Sequence, residues 1–205
     1  LESGAALIVS KRCKKVIVVG ADTMSSILNF QDRNTCILFG DGAGAVLLEP
    51  SEDYGIIDSE LKIDGNGGEY LKMDAGGSLL PATHETIDNK LHFVTQDGKN
   101  VFKYAVKGMA DISYEVANRN NLKAEDIALF IPHQANKRII DATMERLGLN
   151  ESQVMINIDK YANTTAATIP ICIAEAVENN LLDIGDNVIL STFGAGFSWG
   201  ATYLK

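Results

Sequence analysis

Short apolar runs of strand length alternate with longer segments of helical period along most of this 205-residue chain. That alternation leaves one class of architecture, α/β, with sheets layered against helices. A helix over the opening residues leads into "KVIVVGAD", a buried strand, and then "TMSSILNFQDRN", a short helix or loop. "TCILFGDGAGAVLLEP" reads as a strand, a glycine corner and a second strand, and "GIIDSELKIDG" as a further strand. Residues 64–90, rich in Gly, Asp and Thr, form a surface excursion, and "KLHFVTQDG" is a strand or hairpin arm. "KNVFKYAVKGMADISYEVANRNN" is a long helix with Val101, Phe102, Ala105, Val106, Met109 and Ile112 on one side. The strand "IALFIPH", a helix "NKRIIDATMERLG" ended by Gly148, and the strand "QVMINID" follow. "NTTAATIPICIAEAVENN" is a helix interrupted by Pro170, and "NVILSTFGAGFSWGATYLK" is two strands around a glycine corner.

One pattern occurs twice. "ILFGDGAGAVLL" and "LSTFGAGFSWGATYL" each run from an apolar strand through Phe-Gly and spaced glycines into a second apolar strand. The echo implies duplication, with residues 1–54 a remnant of a first half and 55–205 a second half. "LESGAALIVSKRCKK" reads as a helix already under way, so the chain is expected to be the C-terminal part of a longer protein, with a processed N-terminus as the alternative.

The glycines of "GDGAGA" lead into a β-like run, whereas a dinucleotide loop must open a helix whose N-terminus faces the pyrophosphate. They are expected instead to permit a tight backbone corner near a site. The net charge of −9 disfavours general nucleic-acid binding, and no apolar run is long enough to span a bilayer. The three cysteines, odd in number and widely spaced, point to a reducing, cytoplasmic setting rather than to disulfides or a metal site.

His133 closes an apolar strand, where α/β proteins bind ligands. It is either a ligand-facing donor or a buried structural histidine. Asn163, after "INIDKYA", is either a second neutral donor or a helix N-cap. With the glycine loop of "LSTFGAG", the two would make a convergence of donors suited to an oxyanion. His84 and His92 lack metal-ligand spacing and read as structural or exposed. Cys172 and Cys36 read as core. Cys13, though flanked by Arg12, Lys14 and Lys15, begins a strand far from the carboxyl ends, so none is a convincing nucleophile. Lys99, Lys103 and Lys107 share one helix face, either solvated or used in docking.

"PHQANKRII", "NTTAA" and "FGAGFSWGA", with "VVGAD" and "FGDGAGAVLLE" before them, resemble the C-terminal part of β-ketoacyl-acyl-carrier-protein synthase III, of the thiolase superfamily. The elongating synthases and thiolases of that superfamily carry a second His or a second Cys where this chain has Asn163 and its glycine loop. The resemblance implies a thiolase-like αβαβα fold with internal duplication, here with its first half truncated, usually as a homodimer. It implies decarboxylative condensation of acyl-CoA with malonyl-acyl carrier protein, initiating fatty acid synthesis, with no cofactor. By the same resemblance His133 and Asn163 bind the thioester oxygen, and the backbone N–H of Ala195 is an oxyanion-hole donor. Many relatives carry Gly there, so a positive φ would strain Ala195. Arg33, Gly98, Phe102, Ala135 and Asn136 would line the tunnel for the CoA or pantetheine arm. Arg138, with Lys137 and Lys103, would dock the acidic carrier. The nucleophilic cysteine would lie upstream of Leu1, leaving the 205 residues alone inactive. The alternatives are a thioester hydrolase or acyltransferase on the same scaffold, and a non-catalytic partner subunit of a condensing enzyme.

Overall fold

The computed structural model describes residues 1–205. In chain order its main elements are α1 (Glu2–Val9), β1 (Val16–Asp22), β2 (Gly42–Leu48), β3 (Ile56–Ile63), β4 (Leu71–Met73), α2 (His84–Asp88), β5 (Val94–Gln96), α3 (Gly98–Arg119), β6 (Leu129–Pro132), α4 (Lys137–Leu147), α5 (Ile158–Tyr161), α6 (Thr168–Glu178), β7 (Val188–Gly194) and β8 (Ser198–Leu204).

The central sheet has the order β3-β8-β7-β6. β6 and β7 are parallel, so their carboxyl ends open on the same side, and β8 runs antiparallel to both β7 and β3. Alternation along the strands sends side chains to two separate cores. On one face Phe130, Ile189, Ala201 and Tyr203 pack with Ile112 and Val116 of α3 and Ile140 of α4. On the other, Leu129, Ile131, Val188 and Leu190 pack with Cys172 and Ala176 of α6. Beyond α6 lies the antiparallel pair β1–β2, where Gly44 meets Pro170 and, from α1, Gly4 meets Val16, Val18 and Leu48. Four of the five expected layers are therefore formed by these residues. The outer face of β1–β2 is bare, with Ile17 68% and Val19 63% exposed, so β1 is half-buried on one face and open on the other.

Several sequence expectations are corrected. Residues 33–38 form turns rather than a strand, because the Asp32 side chain accepts from Asn34 N and Thr35 Oγ1 while its carbonyl accepts from Thr35 N and Cys36 N. Only Phe39 pairs, as a single parallel bridge to Asn163. The strand read at "QVMINID" shrinks likewise to one bridge, Val154 with Phe130. There the buried Gln134 side chain replaces the ladder: its Nε2 donates to Met155 O (3.1 Å) and its Oε1 accepts from Asn157 N (3.0 Å). Pro170 does not interrupt a helix, since α6 starts at Thr168 and a proline in the first turn has no N–H to lose. α3 and the Gly148 stop to α4 form as read, Gly148 adopting φ +69. The surface excursion holds β4, α2 and the approach to β5.

Candidate active site

The ends of β6 and β7 open onto a cleft of about 1360 Å³. Its walls include His133, Asn163, Thr165, Phe193, Ala195 and Asp22. His133 follows the last residue of β6, and its backbone N–H extends the ladder by donating to Ser191 O (2.7 Å). The ring is only 8% exposed, and burial pushes its pKa down to about 4. At neutral pH the imidazole is therefore uncharged, with one nitrogen a donor and the other an acceptor. Gln134, just behind, faces away from the cleft. Besides its two bonds to the 155–157 segment, its N–H donates to Thr168 Oγ1 (3.0 Å), which ties β6 to the start of α6.

Asn163 reaches the same cleft by a different route. Its backbone brackets Phe39, with Asn163 N donating to Leu38 O and Gly40 N donating to Asn163 O, both 2.9 Å. Its side-chain Oδ1 accepts from Thr165 N (2.9 Å). Because a backbone N–H can only donate, the facing atom is the amide oxygen, and the Nδ2 group is left to donate elsewhere. The cap-like bond and the free donor thus coexist in one residue.

This segment can lie so close to β1–β2 because glycines clear the way. A Cβ on Gly20 would stand 2.1 Å from Ala166 O, one on Gly40 2.3 Å from Tyr161 O, and one on Gly42 2.9 Å from Thr164 Cβ. The "GDGAGA" glycines are therefore not the expected corner. Gly42 and Gly44 sit within β2, and together with Gly40 at every second residue they leave a strip without side chains on which Tyr161–Ile171 rests. Ala162 (φ +59, ψ −157) and Thr165 (φ +49) lie on either side of Asn163 with positive φ, the first in a region almost confined to glycine and the second uncommon for a β-branched residue. Asp22, at the end of β1, holds this turn: Thr165 Oγ1 and Ala166 N (3.1 Å) both donate to its Oδ2. Nothing in sequence spacing marks Asp22 and Thr165, 143 residues apart.

Ala195 lies in the β7–β8 turn on the cleft wall, and the positive φ of that turn falls on Gly196 (+137), so alanine at 195 carries no such strain. Gly98, Phe102, Ala135, Asn136 and Arg138 also line the cleft. Asn136 additionally caps α4, its Oδ1 accepting from Arg138 N (2.9 Å). Arg33 does not line the cleft; its neighbour Asn34 does. Lys137 is paired with Asp141 (2.6 Å) and stands off the wall, as does Lys103, whereas Lys99 is on it. None of the three cysteines lines the cleft, and Cys172 is fully buried with its thiol pushed up to about 12, chiefly by burial. His92 is engaged with Thr86 Oγ1 (2.9 Å).

Helices layered against the two sheets, with a cleft at the carboxyl ends of β6 and β7, make a thiolase-like α/β fold. The solved 3-oxoacyl-acyl-carrier-protein synthase III structures from Aquifex aeolicus (TM-score 0.89, 36% identity) and Thermus thermophilus (TM-score 0.89, 38% identity) share it, over 100% and 99% of this chain and 62% of each of theirs. Residues 1–65 match the family profile described as 3-oxoacyl-acyl-carrier-protein synthase III, and residues 117–205 the profile for its C-terminal part. The β-ketoacyl-acyl-carrier-protein synthase III of Chlorobaculum tepidum is 56% identical over 100% of this chain, which spans 63% of that relative's length. The chain belongs to the 3-oxoacyl-acyl-carrier-protein synthase III family.

Proposed function

We propose that this chain supplies the decarboxylating site of an acyltransferase that condenses acyl-CoA with malonyl-acyl carrier protein, the priming step of fatty acid synthesis. The observation that carries the reading is the pairing of an uncharged, desolvated imidazole with a carboxamide whose oxygen is already engaged, on the walls of one cleft. Two donors of this kind fit an oxygen that gains charge during the reaction.

In the proposed reaction the bond from the malonyl α-carbon to its carboxylate breaks and carbon dioxide leaves. The electron pair delocalises onto the thioester oxygen, where His133 and Asn163 donate. The enolate carbon then attacks the carbonyl carbon of an acyl thioester, and the thiolate is expelled. The Ala195 N–H would serve the oxyanion of that second step. No cysteine of these 205 residues lines the cleft, so the acyl group is presented by a thiol they do not supply. Gly98, Phe102, Ala135 and Asn136 would flank the pantetheine arm, and Arg33, off the wall, is left out of it. Arg138 is exposed at the start of α4 and lines the cleft, so it is the better placed docking cation, whereas Lys137 stands off the wall and pairs with Asp141. Residues 1–54 and 55–205 would belong to two related halves, and the uncovered apolar face of β1–β2 suits a further layer or subunit, such as the second copy of a homodimer. A cytoplasmic setting belongs to the same proposal; no helix is long and apolar enough to cross a membrane.

The test measures release of labelled carbon dioxide from malonyl-carrier protein by the complete enzyme, in which this chain is combined with the thiol-bearing part. His133→Ala and Asn163→Ala should each slow it by about 10²- to 10³-fold. Wild-type rates in both variants, or thioester hydrolysis without decarboxylation, would overturn the reading in favour of another chemistry.

A further inference from the structure

Asn163 can aim its Nδ2 group only if Thr165 N–H keeps hold of the amide oxygen, and Thr165 holds that position in a backbone conformation it disfavours. Something must stabilise the turn. Thr165–Ala167 is a single 3₁₀ turn that leads into α6 at Thr168, so α6 holds its far end but not Thr165 itself. The group that does so is the Asp22 carboxylate, which accepts from the Thr165 hydroxyl and from Ala166 N at once. Asp22 is fixed in turn by its place as the last residue of β1, paired across to Gly42 of β2. Gly42 touches Thr164 and Gly20 touches Ala166, so the same strand ends grip the turn from below.

We propose that Asp22 is a positioning residue for the decarboxylation, acting through Thr165 on the orientation of the Asn163 amide. This rests on the functional reading above. The charged acceptor sits between two donors of one strained turn, and the chain of contacts runs from Asp22 to the Thr165 hydroxyl, from the Thr165 N–H to Asn163 Oδ1, and so to the free Nδ2. Asp22 transfers no proton and does not touch substrate; it fixes the direction of the amide that hydrogen-bonds to the thioester oxygen.

The experiment compares wild type, Asp22→Ala, Asp22→Asn, Asn163→Ala and the Asp22→Ala/Asn163→Ala double variant in decarboxylation of malonyl-carrier protein, with kcat and KM resolved. Loss of a charge-assisted bond makes the expected fall in kcat for Asp22→Ala about tenfold, with KM changed less than about twofold. Asp22→Asn keeps an oxygen acceptor at the same place and should recover kcat to within about threefold of wild type. In the Asn163→Ala background Asp22→Ala should cost less than about twofold, because the group it orients is gone. If Asn163→Ala runs at the wild-type rate, the functional reading fails, whatever Asp22 does. If Asn163→Ala is slow, yet Asp22→Ala either keeps the wild-type kcat or slows both backgrounds equally, the functional reading survives and the positioning role is wrong. Should Asp22→Ala not fold, Thr165→Val, which removes the hydroxyl donor at nearly constant shape, is read against Asn163→Ala by the same criteria.

Discussion

His133 and Asn163 face one cleft but are held by opposite means. His133 continues a fully buried parallel strand, and its N–H makes the next ladder bond. Asn163 sits on irregular backbone between two non-glycine residues of positive φ, and is held by one bridge, one carboxylate and a strip of glycines. The first donor is supported by a regular sheet, whose stability is shared along four strands. The second depends on close approach of backbone to backbone, which any added side chain on the facing strand disrupts. One half of such a site is thus buffered against substitution of its supports, while the other half is exposed to it.

The largest effect that would break this contrast is loss of the donors themselves. His133→Ala and Asn163→Ala should be comparable in their damage to decarboxylation, about 10²- to 10³-fold each. They should differ in stability. Asn163→Ala leaves Thr165 N without its partner beside a strained turn, at a cost of about 1–2 kcal/mol, whereas His133 makes no side-chain hydrogen bond to lose. Thermal unfolding followed beside the rate assay separates the two; equal destabilisation would mean the Asn163 turn is as well supported as the strand.

Next in size are the glycines of β1 and β2 that let the Asn163 segment lie close. Gly20→Ala would place a methyl 2.1 Å from Ala166 O, in contact with backbone that cannot swing aside. Overpacking of this kind costs about 1–3 kcal/mol, and here the displaced atoms carry Asn163, so decarboxylation should fall by roughly tenfold or more. Gly77→Ala, with open space around it, serves as the control and should unfold within about 0.5 kcal/mol of wild type. A Gly20→Ala enzyme of normal activity would show that the close approach is incidental.

The histidine half has its own signature in pH. Burial alone lowers the His133 pKa from 6.5 to about 4, so the unfolded chain binds the extra proton between those values and the folded chain does not. Stability from this group is fully present above about pH 6.5 and is lost as pH falls toward 4, by up to roughly 3 kcal/mol. Carboxylates titrate in the same window, so the informative quantity is the difference between wild type and His133→Ala. That difference should move in favour of wild type as pH rises from 4 to 7; a constant offset would place the imidazole in contact with water.

The two halves were also unequally legible in sequence. The end of β6, the helix after it and the β7–β8 pair follow from apolar runs, a proline and spaced glycines, all local signals. Membership of a layered α/β class follows from the same alternation. The Asn163 region misleads, because "TCILF" has the composition of a strand yet Asp32 and Asn34 capture its backbone in turns. "MIN" likewise has strand character, but its partner is the Gln134 side chain. The glycines of "GDGAGA" signal close approach without saying what approaches. Asp22 acts across 143 residues, a distance at which no spacing rule carries information.

The smallest effect concerns the rim of the cleft. Arg138 and Lys137 are adjacent cations at the first turn of α4, where the helix dipole disfavours positive charge, and their circumstances differ. Lys137 spends its charge on Asp141 one turn away, while Arg138 lines the cleft and is exposed. On a chain of net charge −9, attraction for the proposed acidic carrier would have to come from such local cations. Arg138→Glu should therefore raise KM for malonyl-carrier protein by about three- to tenfold, with the rise shrinking at high salt. It should leave kcat and the response to a small malonyl thioester within about twofold, since neither His133 nor Asn163 depends on Arg138. Lys137→Ala should change KM by less than about twofold, a surface pair being worth little. Equal KM shifts for carrier-bound and small substrates in Arg138→Glu would mean that the substitution has disturbed the cleft through the start of α4, whose first N–H groups Asn136 caps, and that docking lies elsewhere.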